Sequence, residues 1–344
     1  MNFSNTYLLY PDNRALERAI ANSMLMLGEE FVEVAAPNTK VTVADNFRQT
    51  RGNYEQHRFS SNILESAREA LQVSLTKEYF NQAPFAWAQS QNSLGNIVAT
   101  LGQQHRDVEL FKRAIECFNN GLEVLNQENF PLDWAATQYN LGTAQQALGR
   151  QQADSEILKA SIHAYTNALL VWSKEKTPFE WASAMHQLGD TMHTHGMLLK
   201  GNRTLQKSVV AYKNALAVWD ADNYALELAA THNNRGTVLH HLGESEKNPD
   251  RMEEAIKSYD TALTVCMEQQ LPIHLAVLCR VNKSTAQSVL ADLTKDKTLA
   301  DEVADQFDLI IECFSQALQP LCLKHCEAQL NKAKSRTLEI SASG

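Results

Sequence analysis

The sequence is poor in the residues that cut a chain into short pieces. Only 13 glycines and 8 prolines occur in 344 residues, too few for an all-β fold built on many tight turns. No segment of useful length alternates apolar and polar residues, so half-buried strands are not expected. No apolar run approaches the roughly 18 residues of a membrane span. The start, MNFSNTYLLYPDNRALERAI, lacks a basic stretch followed by an apolar one, so no secretory signal is expected. Lysine and arginine form no cluster, and the net charge is −9, which leaves the chain without the phosphate contacts that nucleic-acid binding needs. Glycine-rich phosphate loops, HExxH and paired CxxC motifs are absent too. Six cysteines (Cys117, Cys266, Cys279, Cys313, Cys322, Cys326) fall mostly at apolar positions of helical patterns. They read as buried free thiols in a reducing, cytoplasmic setting rather than as a disulfide framework.

What the sequence does have is a repeat. Pro84, Pro131, Pro178 and Pro272 keep a step of 47 residues, with Ala225 in the remaining slot. Gly95, Gly142, Gly189 and Gly236 keep the same step, as do Phe118, Tyr165, Tyr212 and Tyr259. Gly121, Ala168, Ala215 and Ala262 form a further column, and Leu122, Leu169, Leu216 and Leu263 another. Each unit reads as two helices. In the second unit, helix A carries Trp134, Leu141 and Leu148 on one face, and helix B carries Ile162, Tyr165, Leu169 and Trp172 on one stripe. Proline opens helix A, where its missing N–H costs nothing. Polar stretches such as GRQQADSE and GESEKNPD are expected to form the turn between antiparallel helices. The expected fold class is therefore all-α.

With Leu141–Gly142, then Ser161, Tyr165 and Ala168, then Pro178, the second unit resembles a tetratricopeptide repeat. The fourth unit repeats the theme with Gly236, Gly243, Ala255, Tyr259 and Ala262. The family's usual unit is about 34 residues long, and longer helices are the expected home of the extra length. The resemblance implies a right-handed α-α superhelix, or solenoid, whose A helices line a concave groove that holds a partner peptide. Residues 1–36 are expected to be an orphan helix and 37–83 a degenerate first repeat. Five units then fill 84–319, and 320–344 form a capping helix, centred on Leu321–Leu338, and a tail. The fifth unit departs from the pattern: Lys283 replaces its glycine, and helix B slips by one residue to Phe307.

On helix A, residues opposite the apolar stripe are the candidate ligand face. Stepping by 47 residues gives Asn92, Tyr139, His186, Asn233 and Arg280 in one column. Asn96, Thr143, Asp190, Thr237 and Ser284 form a second, and Ala99, Gln146, His193, His240 and Gln287 a third. A fourth holds Ser93, Asn140, Gln187 and Asn234. Amide side chains both donate and accept, so a ladder of them can pair with the backbone of an extended peptide, the use the resemblance also implies for asparagines in these slots. Arg280 adds a fork suited to a carboxylate. The expected function is a non-catalytic scaffold for a protein or peptide partner, with no cofactor, nucleic acid or membrane involved.

Two alternatives stand beside this reading. One is a self-assembling structural element. The other is a metal-dependent or enzymatic site around His186, Asp190 and His193. Seven residues separate the two histidines, about 10 Å along a helix, too far for one ion at ~2 Å bond lengths. An aspartate beside an imidazole can orient a general base, but no activated serine or cysteine accompanies it. All five tryptophans are expected in the core, because Trp87, Trp134 and Trp181 give way to Leu228 and Leu275 in the same column.

Overall fold

A computed structural model of the chain describes residues 65, 68–69, 71–73, 75–271, 273–314 and 320–342. The orphan helix expected over 1–36, and most of the repeat expected over 37–83, lie outside them. The described residues are all-α and contain twelve helices from Lys77 onward. These are α1 (Lys77–Gln82), α2 (Pro84–His105), α3 (Val108–Leu122), α4 (Pro131–Gln152), α5 (Ser155–Ala168) and α6 (Pro178–Leu199). They continue as α7 (Asn202–Ala215), α8 (Ala225–Glu246), α9 (Pro249–Glu268), α10 (Ile273–Thr294), α11 (Lys297–Phe314) and α12 (Pro320–Ala342). The chain divides into two compact units, the first ending at Val218 and the second resuming at Trp219. In the first unit α2 pairs with α3, α4 with α5 and α6 with α7; in the second α8 pairs with α9 and α10 with α11, while α12 packs on α11.

The helices account for the long repeat. Each A helix (α2, α4, α6, α8, α10) runs 22 residues. Proline stands in the first turn of α2, α4 and α6. The turn expected over GRQQADSE is much shorter than that, because α4 continues to Gln152. Ala153 then adopts a left-handed conformation (φ 50°), and Asp154 caps α5 by accepting the N–H groups of Glu156 and Ile157. Arg106–Asp107 and Lys247–Asn248 make the same two-residue connection. One left-handed residue reverses the chain, and one capping side chain restarts it.

Small residues let the paired helices close up. A Cβ on Gly142 would stand 3.1 Å from the Tyr165 ring, and one on Gly149 would stand 2.9 Å from Leu158. Ser161 Oγ donates to the Gly142 carbonyl at 2.7 Å, and Ser208 Oγ to the Gly189 carbonyl at 2.6 Å. Tyr165, Tyr212 and Tyr259 are fully buried beside Gly142, Gly189 and Gly236 respectively. The tryptophans divide: Trp172 and Trp219 are core, whereas Trp87, Trp134 and Trp181 are half-buried near the start of their A helices. Trp134 and Trp181 still pack against the core of the first unit. All six cysteines are free thiols, and Cys313 is exposed while the other five are buried. Among the described residues no helix is long and apolar enough to cross a membrane.

Candidate functional site

The A helices carry every candidate residue, and their surroundings differ from the expected pairing of one core face with one open face. From Ala135 to Ala144 every residue of α4 is buried. The helix packs against α5 of its own hairpin, α3 of the preceding one, and the A helices α2 and α6 on either side. A helix with neighbours on so many sides keeps little open face. Asn92, Tyr139, Asn140, Thr143, His186, Asp190 and His193 are all buried in the first unit, as are Asn233, Asn234 and His240 in the second. Asn96 and Arg280 are half-buried.

Burial of so many polar groups is tolerable because they bond to one another. In the first unit Asn140 Nδ2 donates to Asn92 Oδ1 at 3.1 Å, linking α4 to α2. Between α4 and α6 the link is ionic: Arg150 Nη2 donates to Asp190 Oδ1 at 2.7 Å, and Gln146 Nε2 to Asp190 Oδ2 at 3.0 Å. Arg150 Nε also donates to Thr194 Oγ1 at 3.0 Å. In the second unit Asn282 Nδ2 donates to Asn233 Oδ1 at 3.0 Å, joining α10 to α8.

The second column has a use that the sequence reading did not anticipate. It accepts the hydroxyl of the helix-B tyrosine 22 residues later: Tyr165 donates to Thr143 at 3.0 Å and Tyr259 to Thr237 at 3.2 Å. Tyr212 reaches Asp190 Oδ1 at 3.5 Å. The constant spacing of tyrosine and acceptor was visible in the repeat. Tyr139 sets its ring in the core, with its centroid 5.5 Å from Tyr165 and 5.6 Å from Trp172, and keeps its hydroxyl within reach of Gln187.

Buried histidines meet aromatic rings and one another, His240 and His241 with ring centroids 6.1 Å apart. His186 sets its ring edge-on to Tyr212, with centroids 5.4 Å apart. Among the described residues no group of three histidine, cysteine, aspartate or glutamate side chains is placed to hold a metal. Asp190 is engaged by Arg150 and Gln146 on its two oxygens. In the second unit burial, with His241 and His325 nearby, pushes the His240 imidazole down to about 3. Burial likewise holds His241 and His325 at about 4. His325 Nε2 shares a hydrogen bond with Thr285 Oγ1 at 3.1 Å. Cys117, buried in the first unit, is pushed up to about 11 and stays a thiol.

In the fourth column the hydrogen bonding is incomplete. Gln187 Oε1 and Asn234 Nδ2 are buried without a hydrogen-bond partner among the described residues, although Gln187 Nε2 donates to Tyr139 Oη at 3.5 Å. These two positions lie one repeat apart. No family model matches this chain, and no curated protein matches it.

Proposed function

We propose that the chain is a non-catalytic interaction scaffold of tetratricopeptide-like hairpins wound in a right-handed superhelix. Its A helices hold an extended peptide or a helix of a partner protein. The observation that carries this reading is that each unit, taken by itself, buries an unsatisfied carboxamide on an A helix, Gln187 in the first and Asn234 in the second. Each keeps one buried carboxamide atom unsatisfied, an oxygen in the first and an N–H group in the second. Leaving such a group unpaired costs about 1–3 kcal/mol, and an unpaired group in a native protein calls for an explanation. Both side chains are fully buried, so a peptide meets them only where neighbouring A helices part, and its backbone then offers the complementary N–H and carbonyl. The recurrence of amide and hydroxyl groups on the A helices supports the same reading, as does the resemblance in Leu141–Gly142, Tyr165 and Ala168.

The test is the double substitution Gln187→Met and Asn234→Leu, which keeps volume and removes the unsatisfied groups. Stability measured by circular dichroism should be unchanged or higher. Affinity capture from native lysate, read by mass spectrometry, should lose a partner that the unaltered chain retains. Equal capture by both proteins overturns the assignment.

A further inference from the structure

The fifth hairpin breaks the small-residue rule on which the other four are built. In α8, Gly236 and Gly243 face Tyr259 and Met252 of α9. One repeat later α10 carries Lys283 and Leu290 in those slots. Leu299 follows in the Met252 slot, Gln306 stands where the tyrosine was, and the aromatic Phe307 has moved one place along. Two side chains thus stand where hydrogen atoms stood, and α11 packs less closely on α10 than α9 does on α8. Lys283 turns toward α9 and pairs with Asp260. Beside it lies a cleft of about 410 Å³ formed by α9, α10 and α11.

The cleft has a definite chemistry. Ile256, Leu290 and Leu299 give it an apolar lining. Gln287 borders it with a carboxamide oxygen that has no hydrogen-bond partner. Lys257 and Glu253, exposed at the mouth, are one helical turn apart and form no ion pair among the described residues. A volume of this size falls in the range of ligand-binding clefts.

We propose that this cleft is a second docking site, for an extended peptide segment of a partner with the pattern acidic–x–aliphatic–x–basic. Residues two apart in an extended segment face the same side, so all three side chains can meet the cleft together. The aliphatic side chain lies on Ile256, Leu290 and Leu299, the acid meets Lys257, and the base meets Glu253. The charge balance of the mouth selects a segment of both signs rather than an acidic one. This inference rests on the scaffold reading but uses different residues.

The experiment is fluorescence anisotropy of the full chain with a labelled Gly-Ser-Asp-Ser-Leu-Ser-Lys-Ser-Gly peptide. Saturable binding is expected. Replacing the peptide's leucine with serine should weaken it at least roughly tenfold, the effect of losing one buried aliphatic side chain. Lys257→Glu, a surface change that leaves folding intact, should weaken binding several-fold, and a peptide with lysine in place of its aspartate should restore it. Gln187→Met with Asn234→Leu should leave this peptide's binding unchanged. No saturation by about 1 mM, equal binding of the serine peptide, or failure of the charge swap each overturns the cleft. A chain that ignores the peptide yet still captures a partner through Gln187 and Asn234 overturns the cleft alone.

Discussion

Neighbouring A helices in the first unit are tied by a buried charge, Arg150 on α4 to Asp190 on α6. At the corresponding kind of contact in the second unit, Asn282 of α10 meets Asn233 of α8 through neutral amides. Imidazoles then fill the nearby interior, with His240 and His241 on α8 and His325 on α12. Both units bury A helices on several sides, and both put amide and imidazole side chains inside, with Asn140 on Asn92 and His186 and His193 buried in the first. What the first unit adds, among the described residues, is the charge pair between A helices. A charge pair gives strength only while both partners remain, whereas amides tolerate loss better. Neutral imidazoles add a condition that neither of the others imposes, a minimum pH.

That condition has the largest expected effect. His232, His241 and His325 are each held down at about 4 by burial, with Arg235 adding to the effect at His232, and His240 is held at about 3. Released by unfolding, each returns to its ordinary value of 6.5 and binds a proton below it. The stability these groups contribute is therefore complete above 6.5 and lost as pH falls toward 4. Each group costs about 1.4 kcal/mol per pH unit in that window, so four together rival the whole stability of a typical domain within two units. Hydrogen exchange should show protection in α8 to α12 collapsing between pH 6 and 4.5. The double variant His240→Asn, His241→Asn should flatten the pH slope, and an unchanged slope would sink the argument.

Breaking the charge pair comes next. Asp190→Ala leaves Arg150 without its partner in a mostly buried setting and should cost about 3 kcal/mol, somewhat reduced because the guanidinium is partly exposed. Asn282→Ala in the second unit should cost nearer 1 kcal/mol. Replacing both partners, Arg150→Met with Asp190→Leu, should recover most of the first loss. Urea unfolding of the four proteins checks the order, and the contrast between units fails if Asn282→Ala proves the costlier single change.

The repeat was legible because packing imposed it. Gly142 beside Tyr165 and Ser161 beneath the Gly142 carbonyl are contacts that any 47-residue step must reproduce, so they leave columns in the sequence. Helix A and helix B, their pairing and the departure at Lys283 could all be read from those columns. Burial of Asn92, Asn140 and Asn233 could not. A polar column looks alike whether it faces water or the next column, and only the packing of α4 on α2, α3, α5 and α6 decides between them. Turn length was misjudged for a related reason: Arg150, Gln151 and Gln152 are polar, yet they continue α4. The cleft at α10 had a visible sign in Lys283, but its volume depends on how far α11 is held away.

The glycine columns permit a graded test across the two units. An added Cβ would stand 2.6 Å from Phe118 at Gly95, 2.8 Å from Tyr259 at Gly236 and 3.1 Å from Tyr165 at Gly142. Alanine gains about 1 kcal/mol over glycine in a helix, while overpacking costs about 1–3 kcal/mol. Gly95→Ala should therefore destabilise most, Gly236→Ala less, and Gly142→Ala should fall within about 0.5 kcal/mol of neutral. Thermal melts of the three variants give the order. A reversed order would mean that the rings move aside freely and that the glycines are not what sets the helix spacing.

The smallest expected effect concerns a cap. Asp107, Asp154 and Asn248 each accept the first backbone N–H groups of their B helix, but α7 begins after Gly201 and has no side-chain cap. Gly201 has φ −106°, an extended conformation open to any residue, and its missing Cβ would meet only Thr204 Oγ1 at 3.8 Å. Gly201→Asp should therefore place a carboxylate on the N–H groups of Arg203 and Thr204, as Asp154 does for Glu156 and Ile157. The substitution also restricts the unfolded chain. Together these should stabilise the first unit by about 0.5–1 kcal/mol, while Asn248→Gly should weaken the second by a few tenths. Region-resolved hydrogen exchange separates the two. If Gly201→Asp leaves protection in α7 unchanged, the α6–α7 connection is held by its packing and capping has no part in it.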